Sequence, residues 1–254
     1  MGDILIHTEA GILTLTFNRA DKKNAITQPM YQAMADALLS AAGDKNVRVA
    51  VIQGAENLFT AGNDLSDFAN GPPATHESPV FQFLRAISTF PKPVIAAVCG
   101  PAVGIGTTLL LHCDAVYAGD NALFSLPFAN LGLCPEAASS YLLPSLVGYV
   151  RAAELLLFGE SFNAAQALEM GLISRIVPPA EVNAFARVQA AKLAAKPSAS
   201  MIATKALMKR PHAEMTATVM QEEGVVFGRM LREPAAKEAF AAFMQRRKPD
   251  FSTL

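Results

Sequence analysis

Three short runs dominated by apolar residues constrain this chain more than any other feature: Val47–Ile52, Val94–Val98 and Ala115–Ala118. Each has the length of one strand and offers water little polar surface on either face, so each reads as a buried strand. The segments between them have helical spacing. Thr27 or Gln28 to Ala42 brings Met30, Met34, Ala37, Leu38 and Ala41 onto one face and closes at Gly43. Val80–Phe90 and Gly104–His112 follow the same pattern. Buried strands alternating with helices predict an α/β layered core. Ahead of it, Ile4–His7 and Gly11–Phe17 flank Glu9-Ala10-Gly11 as a hairpin, with Thr14 and Thr16 on one face. Gly54–Leu65 reads as a loop, Gly71-Pro72-Pro73 as a break, and Ala122–Phe124 as a short apolar piece.

From Ser139 onward helical patterns dominate, apart from Leu172–Val177. Asn163, Ala180 and Pro197-Ser198 open helices, and Pro234–Arg246 is amphipathic. A soft boundary near residue 195 separates a core, residues 1–195, from a helical region, residues 196–254, suited to oligomer contacts. Ala199–Met208 and Ala235–Met244 carry more apolar surface than a helix lying on one core needs. A hydrophobic content of 52% against 17% charged residues points the same way, or to a deep apolar pocket. The net charge of −1 supplies no field to gather nucleic acid. Cys99, Cys113 and Cys134 are odd in number and lack C-x-x-C spacing, so they read as reduced thiols in a cytoplasmic setting. Asp3 and His7 interrupt the only short apolar run near the start, and Ser252-Thr253-Leu254 is not the peroxisomal tripeptide. Pro93–Leu111 is uncharged, but its two prolines and three glycines favour strand–turn–helix over a membrane span.

The chemistry centres on Glu136, the only charged side chain between Asn121 and Gly148. A carboxylate in apolar surroundings is costly unless paired, solvated or used. Pro135 before it suits the first turn of a helix, and Glu there is electrostatically favoured, so a helix start explains the pair as well. Two further segments are candidates for presenting backbone donors. In Thr60-Ala61-Gly62-Asn63-Asp64-Leu65, Gly62 permits backbone angles that leave the Ala61 N–H unpaired and facing a cleft. An ordinary loop with Asp64 as N-cap fits the same residues. In Gly100–Gly106 the glycines let a helix N-terminus approach a ligand, or simply let helix and strand pack tightly. The spacing is not that of a dinucleotide site. His112 beside Asp114 lacks a serine or cysteine elbow, and the four histidines have no metal-ligand spacing. Arg246-Arg247-Lys248 reads as solvated helix surface.

These residues resemble the crotonase (enoyl-CoA hydratase/isomerase) superfamily over nearly the whole chain. The likeness runs through Leu15–Arg19 with Lys23-Asn24-Ala25, Phe59–Leu65, Lys92–Val98 with Gly100–Gly106, Cys113–Ala118, Ala164–Gly171 and Arg247–Phe251. It implies a crotonase-like spiral of ββα units with a C-terminal helical trimerisation region, and an acyl-CoA thioester as ligand. Within the superfamily, hydratases carry two glutamates where this chain has Thr108 and Phe128. Pro135-Glu136-Ala137-Ala138-Ser139-Ser140-Tyr141 instead resembles the peroxisomal-type Δ3,Δ2-enoyl-CoA isomerases, with Ala137 where that group often has Gly. The resemblance implies Glu136 as catalytic base and the N–H groups of Ala61 and Ile105 as oxyanion hole. On the same resemblance Lys23, Ala25 and residues 61–65, namely Ala61, Gly62, Asn63, Asp64 and Leu65, are expected to line the CoA side, and Phe128, Leu131, Leu133 and Pro135 to wall the acyl side. No metal or redox cofactor is needed, since coenzyme A arrives with the substrate. A homotrimer or dimer of trimers is implied, with neither nucleic acid nor membrane as partner. A hydratase, another acyl-CoA enzyme of the superfamily, or a non-catalytic acyl-CoA-binding module are the alternatives.

Overall fold

The computed structural model describes residues 2–70, 77–252 and 254, so the break at Gly71-Pro72-Pro73 lies outside the described residues. The first half runs β1 (Ile4–Glu9), β2 (Ile12–Phe17), α1 (Gln28–Gly43), β3 (Val49–Gln53), α2 (Leu65–Asn70), α3 (Pro79–Thr89), β4 (Val94–Val98), β5 (Pro101–Val103), α4 (Ile105–Thr108), β6 (Ala115–Gly119) and β7 (Leu123–Ser125). The second half runs α5 (Ser139–Val147), α6 (Tyr149–Phe158), β8 (Phe162–Asn163), α7 (Ala164–Glu169), β9 (Arg175–Val177), α8 (Val182–Ala194), α9 (Ser198–Lys209), α10 (Ala213–Met230) and α11 (Pro234–Met244).

β1 and β2 form the expected antiparallel hairpin, with Glu9 opposite Ile12. β2, β3, β4, β6 and β9 then extend it in parallel, giving a six-stranded sheet in the order β1-β2-β3-β4-β6-β9. A smaller sheet has the order β5-β7-β8. The chain leaves β4 for β5 through Cys99-Gly100, and β6 for β7 through Asp120-Asn121-Ala122. Two successive strand pairs are thereby split between two sheets, which is the expected spiral of ββα units. Gly100 makes the first corner with φ +65, where a Cβ would lie 2.0 Å from the Asn57 carbonyl oxygen.

Alternate residues of the buried strands feed two cores, as the two-residue period requires. Leu13, Leu15, Ala50, Ile52, Ala96 and Val98 join α1 and α3 in the larger one. Ile12, Val49, Val51, Ile95 and Ala97 pack with Val182, Ala186 and Ala190 of α8 in the smaller. Asn163 caps α7 through a reciprocal pair with Gln166, as its type predicts.

Two readings change. The helix expected over Gly104–His112 starts at Ile105 and tightens into a 3-10 turn over Leu109–His112. Within Gly100–Gly106, residues 101–103 form a strand against β7, too short for any periodicity to reveal. The last helices also do more than face outward. Met220, Phe227 and Ala236 belong to the main core, while Leu207, Met208, Phe243 and Met244 stay exposed. Among the described residues no helix is long and apolar enough to cross a membrane.

Candidate active site

The site is built first from backbone. Thr60 pairs with Ala102: its N–H donates to the Pro101 carbonyl at 2.9 Å, and its carbonyl accepts from Val103 N–H at 3.1 Å. On the other side Ile26 pairs with Asn63, with Ile26 N–H donating to Gly62 at 2.8 Å and Asp64 N–H to Ile26 at 2.9 Å. Gly62 sits between the two pairings at φ +86, where a Cβ would lie 2.6 Å from the Val103 carbonyl oxygen. The Ala61 N–H is not free. It donates to the Lys23 carbonyl at 3.0 Å, which corrects the expectation that it faces a cleft. A residue bridged in parallel fashion is held through its neighbours' groups, so Asn63's own N–H points away from Ile26. That N–H has no partner among the described residues. Gly62 therefore exposes the donor after it, not the one before.

The second loop behaves as expected. Gly104 turns at φ +54, donates to the Ser125 carbonyl at 2.9 Å, and accepts from Thr107 and Thr108 at 2.9 Å each. Ile105 is the first residue of α4, and a helix's first N–H has no intrahelical acceptor. The loops touch: a Cβ on Gly106 would lie 2.6 Å from Thr60 Cγ2. Asn63 and Ile105 thus supply the unengaged donors.

Glu136 is buried at 6% exposure. It does not stand in a helical turn. Ala137 and Ala138 follow at φ +62 and +56, and α5 begins only at Ser139, which corrects the reading of Pro135 as a helix-start residue. Burial pushes the Glu136 carboxyl up to about 8, the nearby Glu223 charge adds to this, and a hydrogen bond from the Asn63 side chain opposes it. Its Oε1 has no hydrogen-bond partner among the described residues, the condition of a group reserved for a ligand. The Asn63 amide is oriented by the fully buried Tyr31, whose hydroxyl donates to Asn63 Oδ1.

The other expected residues fall into place with different duties. Phe128 is buried beside Gly104, where a Cβ would come 4.0 Å from its Cε1. Leu133 is buried, and Leu131 and Pro135 are half-buried. Lys23 is exposed, and the Ala25 carbonyl accepts from Arg19 at 2.9 Å. Asp64 caps α2, accepting from Ser66 and Asp67 N–H at 3.0 and 3.1 Å, and pairs with Arg19 at 2.8 Å. Partial burial would raise its carboxyl, but Arg19 and the two N–H donors outweigh that and hold it below the usual range. Leu65, the first residue of α2, follows it. His112 bonds the Ala137 carbonyl at 2.8 Å, and burial with Lys209 nearby lowers it to about 4, so it is neutral and donates. Asp114 faces Lys205 at 2.6 Å, so His112 and Asp114 form no catalytic pair. Arg247 pairs with Glu238 at the surface.

One residue of this site escaped the sequence reading. Glu223 of α10 lines the same apolar cavity as Glu136, with Phe68, Val80, Leu84 and Phe227. Glu136 is therefore not the only carboxylate there. The signal lay in α10 itself: Met220, Glu223 and Phe227 share one helical stripe, and a charge on an apolar stripe asks for a partner. Among the described residues no cluster of His, Cys, Asp or Glu could hold a metal ion.

Known proteins resemble this chain over most of its length. Residues 7–253 match the family model for enoyl-CoA hydratase/isomerase. Enoyl-CoA delta isomerase 2 of Rattus norvegicus is 40% identical over 87% of this chain, which spans 58% of that protein's length. The 2,3-dehydroadipyl-CoA hydratase of Escherichia coli is 35% identical over 99% of both chains. The structure of Pseudomonas aeruginosa OdaA superposes with a TM-score of 0.94 at 48% identity, covering 97% of this chain and 100% of that one.

Proposed function

This chain belongs to the enoyl-CoA hydratase/isomerase family, and on that premise we propose that it is a Δ3,Δ2-enoyl-CoA isomerase. The observation that carries this reading is Glu136: a buried carboxylate, elevated in pKa, with one oxygen unpartnered among the described residues and a side-chain hydrogen bond to Asn63, whose own N–H is unengaged. The thioester oxygen sits between the N–H groups of Asn63 and Ile105. Glu136 takes the C2 proton; the C2–H electron pair and the C3–C4 π pair spread into a dienolate whose oxygen the donors stabilise. Each donor contributes roughly 3–4 kcal/mol at the transition state. The same carboxylic acid then returns its proton to C4, leaving the double bond at C2–C3. One base suffices, and the reaction requires no redox cofactor. Apolar walls, Phe128 and Leu133 among them, keep water from the intermediate. The exposed Leu207, Met208, Phe243 and Met244 support the proposed trimeric assembly; a monomer in sedimentation of the active protein would remove it.

Hydration is the competing chemistry, since relatives of both kinds occur. It needs a second carboxylate to handle water. Thr108 and Phe128 cannot serve, and both Glu223 oxygens are engaged by N–H and hydroxyl donors. Purified protein given a 3-enoyl-CoA is expected to accumulate the 2-enoyl-CoA, followed by the rise of enoyl-thioester absorbance. Rapid conversion of 2-enoyl-CoA to 3-hydroxyacyl-CoA would instead assign a hydratase.

A further inference from the structure

The two residues after Glu136 are alanines in the left-handed region, at φ +62 and +56. Such a conformation costs roughly 1–2 kcal/mol for each residue bearing a Cβ. Two consecutive instances persist only where surrounding contacts determine them. Ala137 and Ala138 are packed in the main core, Ser139 N–H donates to the Glu136 carbonyl at 3.1 Å and the Ala138 carbonyl accepts from Leu142 N–H at 2.9 Å, and two side chains of other elements bond the turn besides. His112 holds the Ala137 carbonyl at 2.8 Å. Glu223 Oε2 accepts from Ala138 N–H at 2.6 Å, and Oε1 accepts from Ser140 N–H at 2.9 Å and Ser140 Oγ at 2.6 Å. Glu223 thus acts as an N-cap for α5 supplied from 83 residues away, and it grips both sides of Ser139. A carboxylate buried for capping alone is a poor trade, because placing it near a second carboxylate adds repulsion. The position makes sense if its task is to fix where the turn aims Glu136.

We propose that Glu223 is a positioning residue for Glu136, pinning the left-handed turn Ala137-Ala138 so that the base points at the substrate's C2. The proposal rests on the reading of Glu136 as base. Turn strain makes it testable. Gly adopts the left-handed region without the Cβ penalty, so Ala138→Gly should hold the turn even when Glu223 is gone. The ionisable groups facing Glu136 are Glu223 of α10, Tyr31 of α1 and Cys134 of its own segment; burial raises both Tyr31 and Cys134, which stay uncharged at neutral pH. Among the described residues the charge that raises Glu136 is that of Glu223, whose own carboxyl burial raises while its bonds from Ser140 and Ala138 lower it, and its removal should let Glu136 ionise at lower pH.

The test measures kcat and KM for Glu223→Ala, for Glu223→Ala with Ala138→Gly, and for Glu223→Gln, with Glu136→Gln in parallel. Glu223→Ala is expected to lower kcat about 10–100-fold with KM within threefold, and the added glycine to recover most of that loss. Glu223→Gln is expected to move the acid limb of the kcat/KM profile to lower pH. Unchanged kcat in Glu223→Ala, or a loss that glycine leaves untouched, overturns the proposal. If Glu223→Ala does not fold, Glu223→Gln decides through kcat: a loss that Ala138→Gly recovers supports the positioning role, and an unchanged kcat or a loss that glycine leaves untouched refutes it. Near-normal turnover in Glu136→Gln would instead overturn the base assignment beneath it.

Discussion

Glu136→Gln is expected to stop double-bond migration while leaving acyl-CoA affinity within a few-fold. Glutamine has the same shape but cannot take the C2 proton, and loss of a general base commonly costs about 10²–10⁴ in rate. The variant should also be more stable than the parent at alkaline pH. The sign follows from linkage. The carboxyl ionises near 4.5 when unfolded and near 8 when folded, so between those values the folded state holds its proton more tightly. Stability therefore falls as pH rises through that window, and the full cost is present above about 8. Each tenfold gain in proton affinity on folding corresponds to about 1.4 kcal/mol of that cost. Glutamine carries no such cost. Thermal melts at pH 5, 7 and 9 should show a gap in favour of the variant that widens with pH. A melting difference independent of pH would mean that the carboxylate is not buried as a charge, and unimpaired turnover would remove it as the base.

Ile105→Pro tests the oxyanion hole by removing an N–H that makes no backbone hydrogen bond among the described residues, while trimming a side chain fully buried in the main core. Ile105 is the first residue of α4, the helical position where proline is best tolerated, and its N–H has no partner there among the described residues. The substitution deletes one donor to the developing oxyanion. A loss of about 10²–10³ in kcat is expected, the size seen when a single such donor is removed. Ile105→Val keeps the N–H and should stay within a few-fold of the parent. Comparable rates for the proline and valine variants would show that the thioester oxygen is not bound at this amide.

Much of the architecture was legible in the sequence because it depends on local pattern. Val94–Val98 appears as a strand over the expected residues, and α1 ends at Gly43 as its spacing predicts. The hairpin turns at Ala10-Gly11. Glu136 stood out for the same reason: a single charge in an apolar stretch is anomalous whatever the fold. What remained hidden depends on partners distant in the chain. Whether Ala61 or Asn63 offers a free N–H is decided by Lys23 and Ile26, more than thirty residues earlier, which take the Ala61 and Asp64 donors and leave Asn63's. The left-handed turn at Ala137-Ala138 carries no glycine to announce it, and His112 and Glu223 bond its backbone from other elements. The pKa of Glu136 could be argued in either direction from sequence, since a nearby helix start and an apolar pocket pull oppositely. Tertiary structure decided it by enclosing the carboxyl, placing Glu223 beside it, and starting α5 three residues too late for the helix to offset the burial. Sequence determined which groups are present and unusual; only packing determined which of their hydrogen bonds are already made, because a backbone donor is free or engaged according to what lies across from it in space.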